Sequence, residues 1–104
     1  DGLALSSRNV HLSAEERAAA PVLRRALLAA RARWEAGERS GDALRATMAD
    51  VLREEPLATP AYVSVADGRT LAELDQLPVG ATPVLLSLAV RFGSTRLIDN
   101  EPLP

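Results

Sequence analysis

Hydrophobic residues recur with helical spacing through the first half of the chain. One stripe predicts a helix that begins near Pro21, ends at Trp34 or Ala36 and is terminated by Gly37. This stripe consists of Leu23, Leu27, Ala30 and Trp34. A second stripe predicts a helix from about Gly41 to Glu54 and consists of Leu44, Met48, Val51 and Leu52. The first half of the chain is therefore predicted to be helical.

A further helix is predicted to begin at about Ala14. Ser13 and Glu16 have the spacing of a capping box, in which the hydroxyl and the carboxylate each bond a backbone N–H at the helix start. Pro21 then interrupts the helix, because a proline in a helix interior removes one hydrogen bond and clashes with the preceding turn. Either the helix is kinked or a short helix is followed by a second one. We favour the second arrangement, since proline suits a first helical turn.

Strand signals dominate the second half. The segment from Ala61 to Ala66 has β-propensity and is stopped by the turn pair Asp67-Gly68. Val84 to Phe92 is predicted to be a central strand, apolar on both faces for most of its length. Gly93-Ser94 fits a tight hairpin turn that returns into a strand from Thr95 to Asp99.

Between the first two strands, Thr70 and Glu73 form a second capping-box pattern, which predicts a short helical turn from about Leu71 to Asp75. Helices in one half and strands in the other favour the α+β class over an alternating parallel fold. The predicted fold is one domain of 104 residues: a small three-stranded antiparallel sheet with helices packed on one face.

Composition and charge make several classes of function poor expectations for this chain. The chain is 47% hydrophobic and 25% charged, with a net charge of -2, as expected of a soluble globular domain. There is no cysteine, and the near-neutral charge and three aromatic residues make nucleic-acid binding a poor expectation. The apolar run from Pro83 to Val90 is too short to cross a membrane, and Asp1 to Ala4 do not resemble a signal peptide. A cytoplasmic location is the default expectation.

No complete catalytic constellation is visible, and no metal site is predicted. His11 is the single histidine, and there is neither a P-loop nor a lysine. One segment differs from its surroundings: Leu5-Ser6-Ser7-Arg8-Asn9 places hydroxyls, a guanidinium and an amide in succession before the first helix. Hydroxyl and backbone donors beside an arginine suit phosphate oxygens. By composition alone this is also an ordinary loop.

Both ends of the chain resemble the pantothenate synthetase (pantoate–β-alanine ligase) family. At the start the resemblance lies in Asp1 to Asn9, Leu12-Ser13 and Glu15-Glu16-Arg17, and at the end in Gly93 and Thr95 to Asn100. Tyr62 to Val65 and Thr70-Leu71 fall where the family has a strand and the turn that follows it. The family commonly has methionine at the position of Leu5, and leucine keeps the apolar anchor.

The resemblance implies an enzyme that joins pantoate to β-alanine with ATP and Mg²⁺ through a pantoyl adenylate, releasing pyrophosphate and then AMP. It implies that residues 1–104 are the C-terminal lid domain and that the N-terminal nucleotide-binding domain, which would bind most of the Mg²⁺, is absent. Ser6, Ser7 and Arg8, with the Leu5 backbone, would contact the ATP phosphates as a KMSKS-like loop. Arg8 is the candidate catalytic residue. A homodimer is expected for the full-length enzyme.

Other residues receive structural interpretations. His11 is expected to pack or to be partly exposed, Trp34 is expected to lie in the core, and Asp67-Gly68 is expected to form a turn. Arg96, Asp99 and Asn100 are expected to pair charges and fix the chain end, since alternation sends Arg96 and Asp99 to opposite faces of a strand. The basic helix face, formed by Arg24, Arg25, Arg31 and Arg33, is expected to be solvated.

An alternative remains open: an independent α+β module that binds a protein partner or itself, without catalysis. An upstream reading frame that carries a His-x-Gly-His-type motif about 150 residues earlier, the usual size of one domain, would favour the ligase, and a start codon near Asp1 would favour the module. On the ligase hypothesis, the chain alone is expected to be inactive and to bind ATP weakly at best.

Overall fold

A computed structural model describes residues 14–78 and 83–103 of the chain. Its elements follow the order of helices first and strands second that the sequence predicts. They are α1 (Ala14–Ala19), α2 (Val22–Glu35), α3 (Gly41–Arg53), β1 (Thr59–Asp67), β2 (Val84–Phe92) and β3 (Thr95–Leu103). In the described part of the chain, no helix is long and apolar enough to cross a membrane.

The strands form an antiparallel sheet in the order β1-β2-β3, which confirms the predicted α+β fold. β2 has the predicted bounds, and Gly93 makes the turn into β3 with φ of 63°, a value that glycine adopts without steric cost. β3 is longer than predicted, because it remains paired with β2 up to Leu103.

The helices cover one face of the sheet. Strand residues that point toward α2 and α3 include Val65, Leu86, Leu88 and Phe92, all fully buried. Alternation and register place the remaining strand side chains on the opposite side, which no described helix covers. We call this the open face. It comprises Tyr62, Ser64 and Ala66 of β1, Leu85, Ser87, Ala89 and Arg91 of β2, and Arg96, Ile98, Asn100 and Pro102 of β3.

Pro21 separates two helices and does not kink a single one. α1 ends at Ala19, and α2 begins at Val22 directly after Pro21, whose φ of -58° suits a helix start. This is the arrangement that the sequence favours. Ser13, on which the predicted capping box depends, lies outside the described residues.

Local capping explains where the longer helices end and begin. Glu38 N–H donates to the Arg33 carbonyl and Gly37 N–H to the Trp34 carbonyl, each at 3.0 Å, while Gly37 has φ of 111°. This is a Schellman motif, and glycine fits its left-handed position. The side chain of Ser40 then accepts from Ala43 N–H at 3.2 Å and starts α3.

The predicted helical turn from Leu71 to Asp75 is wrong. Leu71 has φ of 64°, which breaks a right-handed helix, and the following backbone pairs with neighbouring elements. Leu74 N–H donates to the Val65 carbonyl at 2.9 Å, and Leu77 N–H donates to the Arg39 carbonyl at 2.8 Å. The segment therefore lies between the outer edge of β1 and the start of α3.

The basic face of α2 is not simply solvated, contrary to expectation. Arg24 Nη2 donates to Glu101 Oε1 of β3 at 2.9 Å, and Arg31 donates to the other oxygen of the same carboxylate. Arg24 Nε lies 3.5 Å from Asp99 Oδ2, within ion-pair range but without a hydrogen bond to its N–H. These contacts fix the last strand to α2, as expected of Asp99 and the chain end. Arg25 and Arg33 are exposed.

Replacing Glu101 by alanine should lower the free energy of unfolding by about 2 kcal/mol, because Arg24 and Arg31 would both lose a charge-assisted bond. Only 12% of the Glu101 side chain is exposed, so water would not fully replace those bonds. Urea unfolding of Glu101→Ala and Asp50→Ala measures the difference. Asp50 forms an exposed ion pair with Arg53, so Asp50→Ala should lower the free energy of unfolding by less than about 0.5 kcal/mol. Equal costs would contradict the structural role of Glu101.

Candidate functional site

The predicted phosphate-contacting residues, Leu5, Ser6, Ser7 and Arg8, lie outside the described residues, as does His11. Their proposed contacts therefore remain predictions. The described chain begins at Ala14 with α1, so these residues precede this helix in sequence. The site features described below all belong to the sheet and to the segment beside it.

A groove of about 590 Å³ lies on the open face along β1, which is an edge strand of the sheet. Its lining includes Tyr62, Ser64 and Ala66 of β1, Ser87 of β2, and Leu71 from the segment after β1. Leu71 and Tyr62 are exposed, while Ala66 is buried. An apolar surface bordered by hydroxyl groups can accept a partly apolar group that also forms hydrogen bonds.

Glu73 and Arg45 close one side of the groove. Arg45 Nε donates to Glu73 Oε1 at 3.1 Å, and the Ser64 hydroxyl donates to Glu73 Oε2. The Val65 N–H also donates to this carboxylate, at 3.3 Å. Burial raises the pKa of Glu73, but these hydrogen bonds and the charge of Arg45 outweigh burial and leave the pKa below its usual value. Glu73 is therefore ionised at neutral pH and unsuited to donate a proton.

Sequence reasoning does not identify this group. The spacing of Glu73 from Thr70 indicates a helix-capping residue, and Arg45 lies 28 positions away on another element. Local spacing carries no signal for a pair that tertiary structure brings together.

Acid unfolding should reveal the Glu73 interactions. A carboxyl whose pKa is lower in the folded than in the unfolded chain stabilises the fold above its unfolded pKa and loses that contribution as the pH falls. The wild-type protein should therefore lose stability below about pH 4.3, the ordinary glutamate pKa, more steeply than Glu73→Gln. Urea midpoints between pH 6 and pH 3 measure this. Parallel curves for the two proteins would contradict it.

The open face carries a row of apolar residues and a basic end. Tyr62, Ala89 and Ile98 are neighbours in register across the strands, and Ala89 is fully buried. At the hairpin end Arg91 and Arg96 stand directly opposite each other, both exposed. The Arg96 guanidinium lies 5.8 Å from the centre of the Tyr62 ring. Because Asp99 points toward α2, the prediction that Arg96 and Asp99 occupy opposite faces is confirmed.

Other residues singled out by the sequence have structural roles. Trp34 packs against the core and carries the Arg39 guanidinium 4.9 Å from its ring centre. Asp67 accepts from Arg69 N–H at 2.7 Å and Thr70 N–H at 3.1 Å, which forms the predicted turn. These backbone bonds lower the pKa of Asp67. Among residues 14–78 and 83–103, no three histidine or carboxylate side chains gather to hold a metal ion.

The fold and its groove define a small α+β domain with helices on one face of the sheet and an open face on the other. A sequence model of the pantoate-beta-alanine ligase family matches residues 1–102. The chain therefore belongs to this family.

Curated relatives agree with the family match. The pantothenate synthetase of Chloroflexus aggregans is 66% identical over 100 residues, and that of Roseiflexus castenholzii is 61% identical over 100 residues. Each alignment covers 96% of this chain and 35% of the relative. The chain thus spans about a third of the length of these relatives.

Solved structures agree with the fold. Two structures of pantothenate synthetase from Thermus thermophilus superpose with a TM-score of 0.85, at 40% and 43% sequence identity. Each superposition covers 96% of this chain and 35% of the other chain.

Proposed function

We propose that this chain is the C-terminal lid domain of an ATP-dependent pantoate–β-alanine ligase. The observation that carries the proposal is the family match over residues 1–102, which includes the Ser-Ser-Arg loop as well as the described fold. Relatives about three times as long leave room for a nucleotide-binding domain outside this chain.

The proposed reaction has two steps. A pantoate carboxylate oxygen attacks the α-phosphorus of ATP, which forms pantoyl adenylate and breaks the bond to pyrophosphate. The amine of β-alanine then attacks the acyl carbon, loses a proton and displaces AMP to give pantothenate. Negative charge develops on the departing pyrophosphate in the first step, so hydrogen-bond donors aimed at its oxygens lower that barrier.

The residues proposed to supply those donors are Ser6, Ser7 and Arg8, with the backbone of Leu5 beside them. Serine hydroxyls and a backbone N–H donate single hydrogen bonds, while the planar guanidinium of Arg8 can donate two parallel ones to phosphate oxygens. The family resemblance supports this assignment. Of these residues, Arg8 is therefore expected to contribute most to the rate of the adenylation step.

A loop carried on a lid domain acts only when the lid is closed. Closure then brings the donors to ATP after both substrates are bound and excludes water that would hydrolyse the adenylate. When bound, Mg²⁺ would neutralise phosphate charge. The described residues offer it no cluster of ligands, so no step is assigned to the ion in this part of the chain.

Separating the chain from the remainder of the enzyme tests the proposal. The full-length protein should form pantothenate from pantoate, β-alanine and ATP, whereas residues 1–104 alone and the protein lacking them should not. Calorimetry should detect no micromolar ATP binding to residues 1–104 alone. Tight ATP binding by the isolated chain, or full activity without it, would contradict the assigned role.

A further inference from the structure

We propose that the groove along β1 is a binding site for a small molecule with a primary ammonium on a short apolar group. The groove is lined by β1, β2, Arg45 of α3 and the segment after β1, and no step of the proposed ligase reaction uses it. The inference therefore goes beyond the proposed function. A carboxylate at one end, an apolar floor and a strained leucine at the rim together define the ligand.

The charge at the Glu73 end of the groove favours a cation. Arg45 is shared by two carboxylates: Nη1 donates to Asp42 Oδ1 at 2.9 Å, and Nε donates to Glu73 Oε1 at 3.1 Å. These three groups therefore carry one net negative charge. The Arg45 side chain is 18% exposed and that of Glu73 is 54% exposed, so a ligand entering the groove meets the carboxylate first.

The hydrogen-bond acceptors at this end match the three N–H donors of an ammonium group. A carboxylate can accept about four hydrogen bonds, and the described residues donate three to Glu73, from Arg45, Val65 and Ser64. One further donor can therefore bind there. Ser64 and Ser87 stand opposite each other in register and both line the groove, so their hydroxyl oxygens can accept the other two. A ligand carboxylate would instead be repelled by Glu73.

The floor of the groove beside the two serines is apolar. Ala66 and Leu85 are neighbours in register across β1 and β2, and both line the groove. A volume of about 590 Å³ lies within the range of small-molecule sites and admits a ring or a short alkyl chain. A ligand with an ammonium group alone would leave this floor in contact with water, so the ligand is expected to carry an apolar group as well.

Leu71 at the rim adds an independent observation. Its φ of 64° is costly for a branched side chain, and it is the one residue other than glycine with positive φ among those described. Its N–H donates to the Asp67 carbonyl at 2.8 Å, which holds it in the turn, yet 66% of the residue is exposed. Strained backbone of this kind concentrates at ligand-binding positions. Leu71 is therefore placed to cover the apolar group of a bound ligand.

The test is titration of the full-length protein with phenethylamine, followed by ligand-detected NMR. Phenethyl alcohol and hydrocinnamate are the matched probes, because all three carry a phenyl ring on a two-carbon chain and differ in the end group. Phenethylamine should bind with a dissociation constant of about 1 mM, which suits a small ligand in an open groove. Phenethyl alcohol should bind about tenfold more weakly, since it lacks the charge-assisted bond to Glu73. Hydrocinnamate should not bind.

Two substitutions assign the binding to this groove. Glu73→Gln should remove the preference for the amine over the alcohol, whereas Glu54→Gln, at an exposed carboxylate after α3, should retain it. Leu71→Gly should weaken phenethylamine binding about fivefold through the lost apolar contact. Glycine adopts a positive φ without steric cost, so the urea midpoint of Leu71→Gly should be nearly unchanged. Weaker binding by this variant is then not a consequence of unfolding.

Equal binding of the amine and the alcohol, or unchanged binding in Glu73→Gln and Leu71→Gly, would overturn the inference. Displacement of phenethylamine by β-alanine, which has the ammonium but no apolar group, would also overturn it. So would binding by residues 1–104 but not by the full-length protein, because the remainder of the enzyme would then cover the groove.

Pantothenate formation by the same full-length protein is measured separately. A protein that makes pantothenate but does not bind phenethylamine contradicts this inference alone. A protein that binds phenethylamine in the groove but makes no pantothenate contradicts the proposed function alone.

Discussion

In the full-length protein, Arg8→Ala should slow formation of pantoyl adenylate by about 100- to 1,000-fold, the usual cost of removing one donor to a developing charge. The proposed guanidinium contact stabilises departing pyrophosphate, so the loss falls on the first chemical step. Reaction of β-alanine with preformed adenylate should change far less, because pyrophosphate has already left. Single-turnover measurements with radiolabelled ATP separate the two steps.

Two variants serve as controls for Arg8→Ala. Arg25→Ala removes an exposed arginine from α2 and should leave both steps unchanged. Arg8→Lys keeps the charge but loses the bidentate geometry, so its adenylation rate should lie between those of the wild type and Arg8→Ala. An unchanged single-turnover adenylation rate in Arg8→Ala would refute the assignment of Arg8.

Gly41→Ala should lower the free energy of unfolding by about 3 kcal/mol, although helix propensity alone favours alanine over glycine. Gly41 is the first residue of α3, and its N–H donates to the Asp75 carbonyl at 2.8 Å. A Cβ added there would lie 1.9 Å from the Leu74 carbonyl oxygen. The obstructing atom belongs to the backbone and is held by neighbouring hydrogen bonds, so relief requires the whole segment to move.

Ala46→Gly in the same helix measures the propensity contribution alone, because Ala46 is exposed. Ala46→Gly should lower the free energy of unfolding, measured with urea, by about 1 kcal/mol. Stabilisation by Gly41→Ala would show that the segment after β1 does not pack against the start of α3. The sign of the change therefore decides between local propensity and tertiary contact.

Most of the fold could be predicted from the sequence, because its signals are local. The apolar stripe of α3 and the glycine that terminates α2 follow from helix geometry, and the Gly93-Ser94 turn fixes the pairing of β2 with β3. The predicted β3 is too short, since Asn100 to Leu103 include polar residues and a proline. An edge strand tolerates both.

The segment from Leu71 to Asp75 was not predictable for a physical reason. Thr70 and Glu73 have helix-capping spacing, yet the Thr70 hydroxyl accepts from Ala72 N–H at 3.3 Å and the Glu73 carboxylate binds Arg45. Backbone pairing with β1 and α3 outweighs the local signal. The same is true of Arg24 and Arg31, whose partners on β3 lie at least 70 residues away.

The two parts of the candidate site also differ in how far they could be predicted from the sequence. Residues Leu5 to Arg8 are contiguous, so their pattern of donors can be read directly from the sequence, and the family match includes them. The open face consists of residues from three separate strands, so it is recognisable only once the register is known.

The stoichiometry of the nucleotide products distinguishes an AMP-forming ligase from one that forms ADP. The full-length protein is incubated with pantoate, β-alanine, ATP and Mg²⁺, and pantothenate and nucleotides are quantified by chromatography. An AMP-forming ligase should release one AMP and one pyrophosphate for each pantothenate formed. Pantothenate formed with ADP and phosphate, or no pantothenate from a folded full-length protein, would contradict the assignment of this chain to an AMP-forming pantoate–β-alanine ligase.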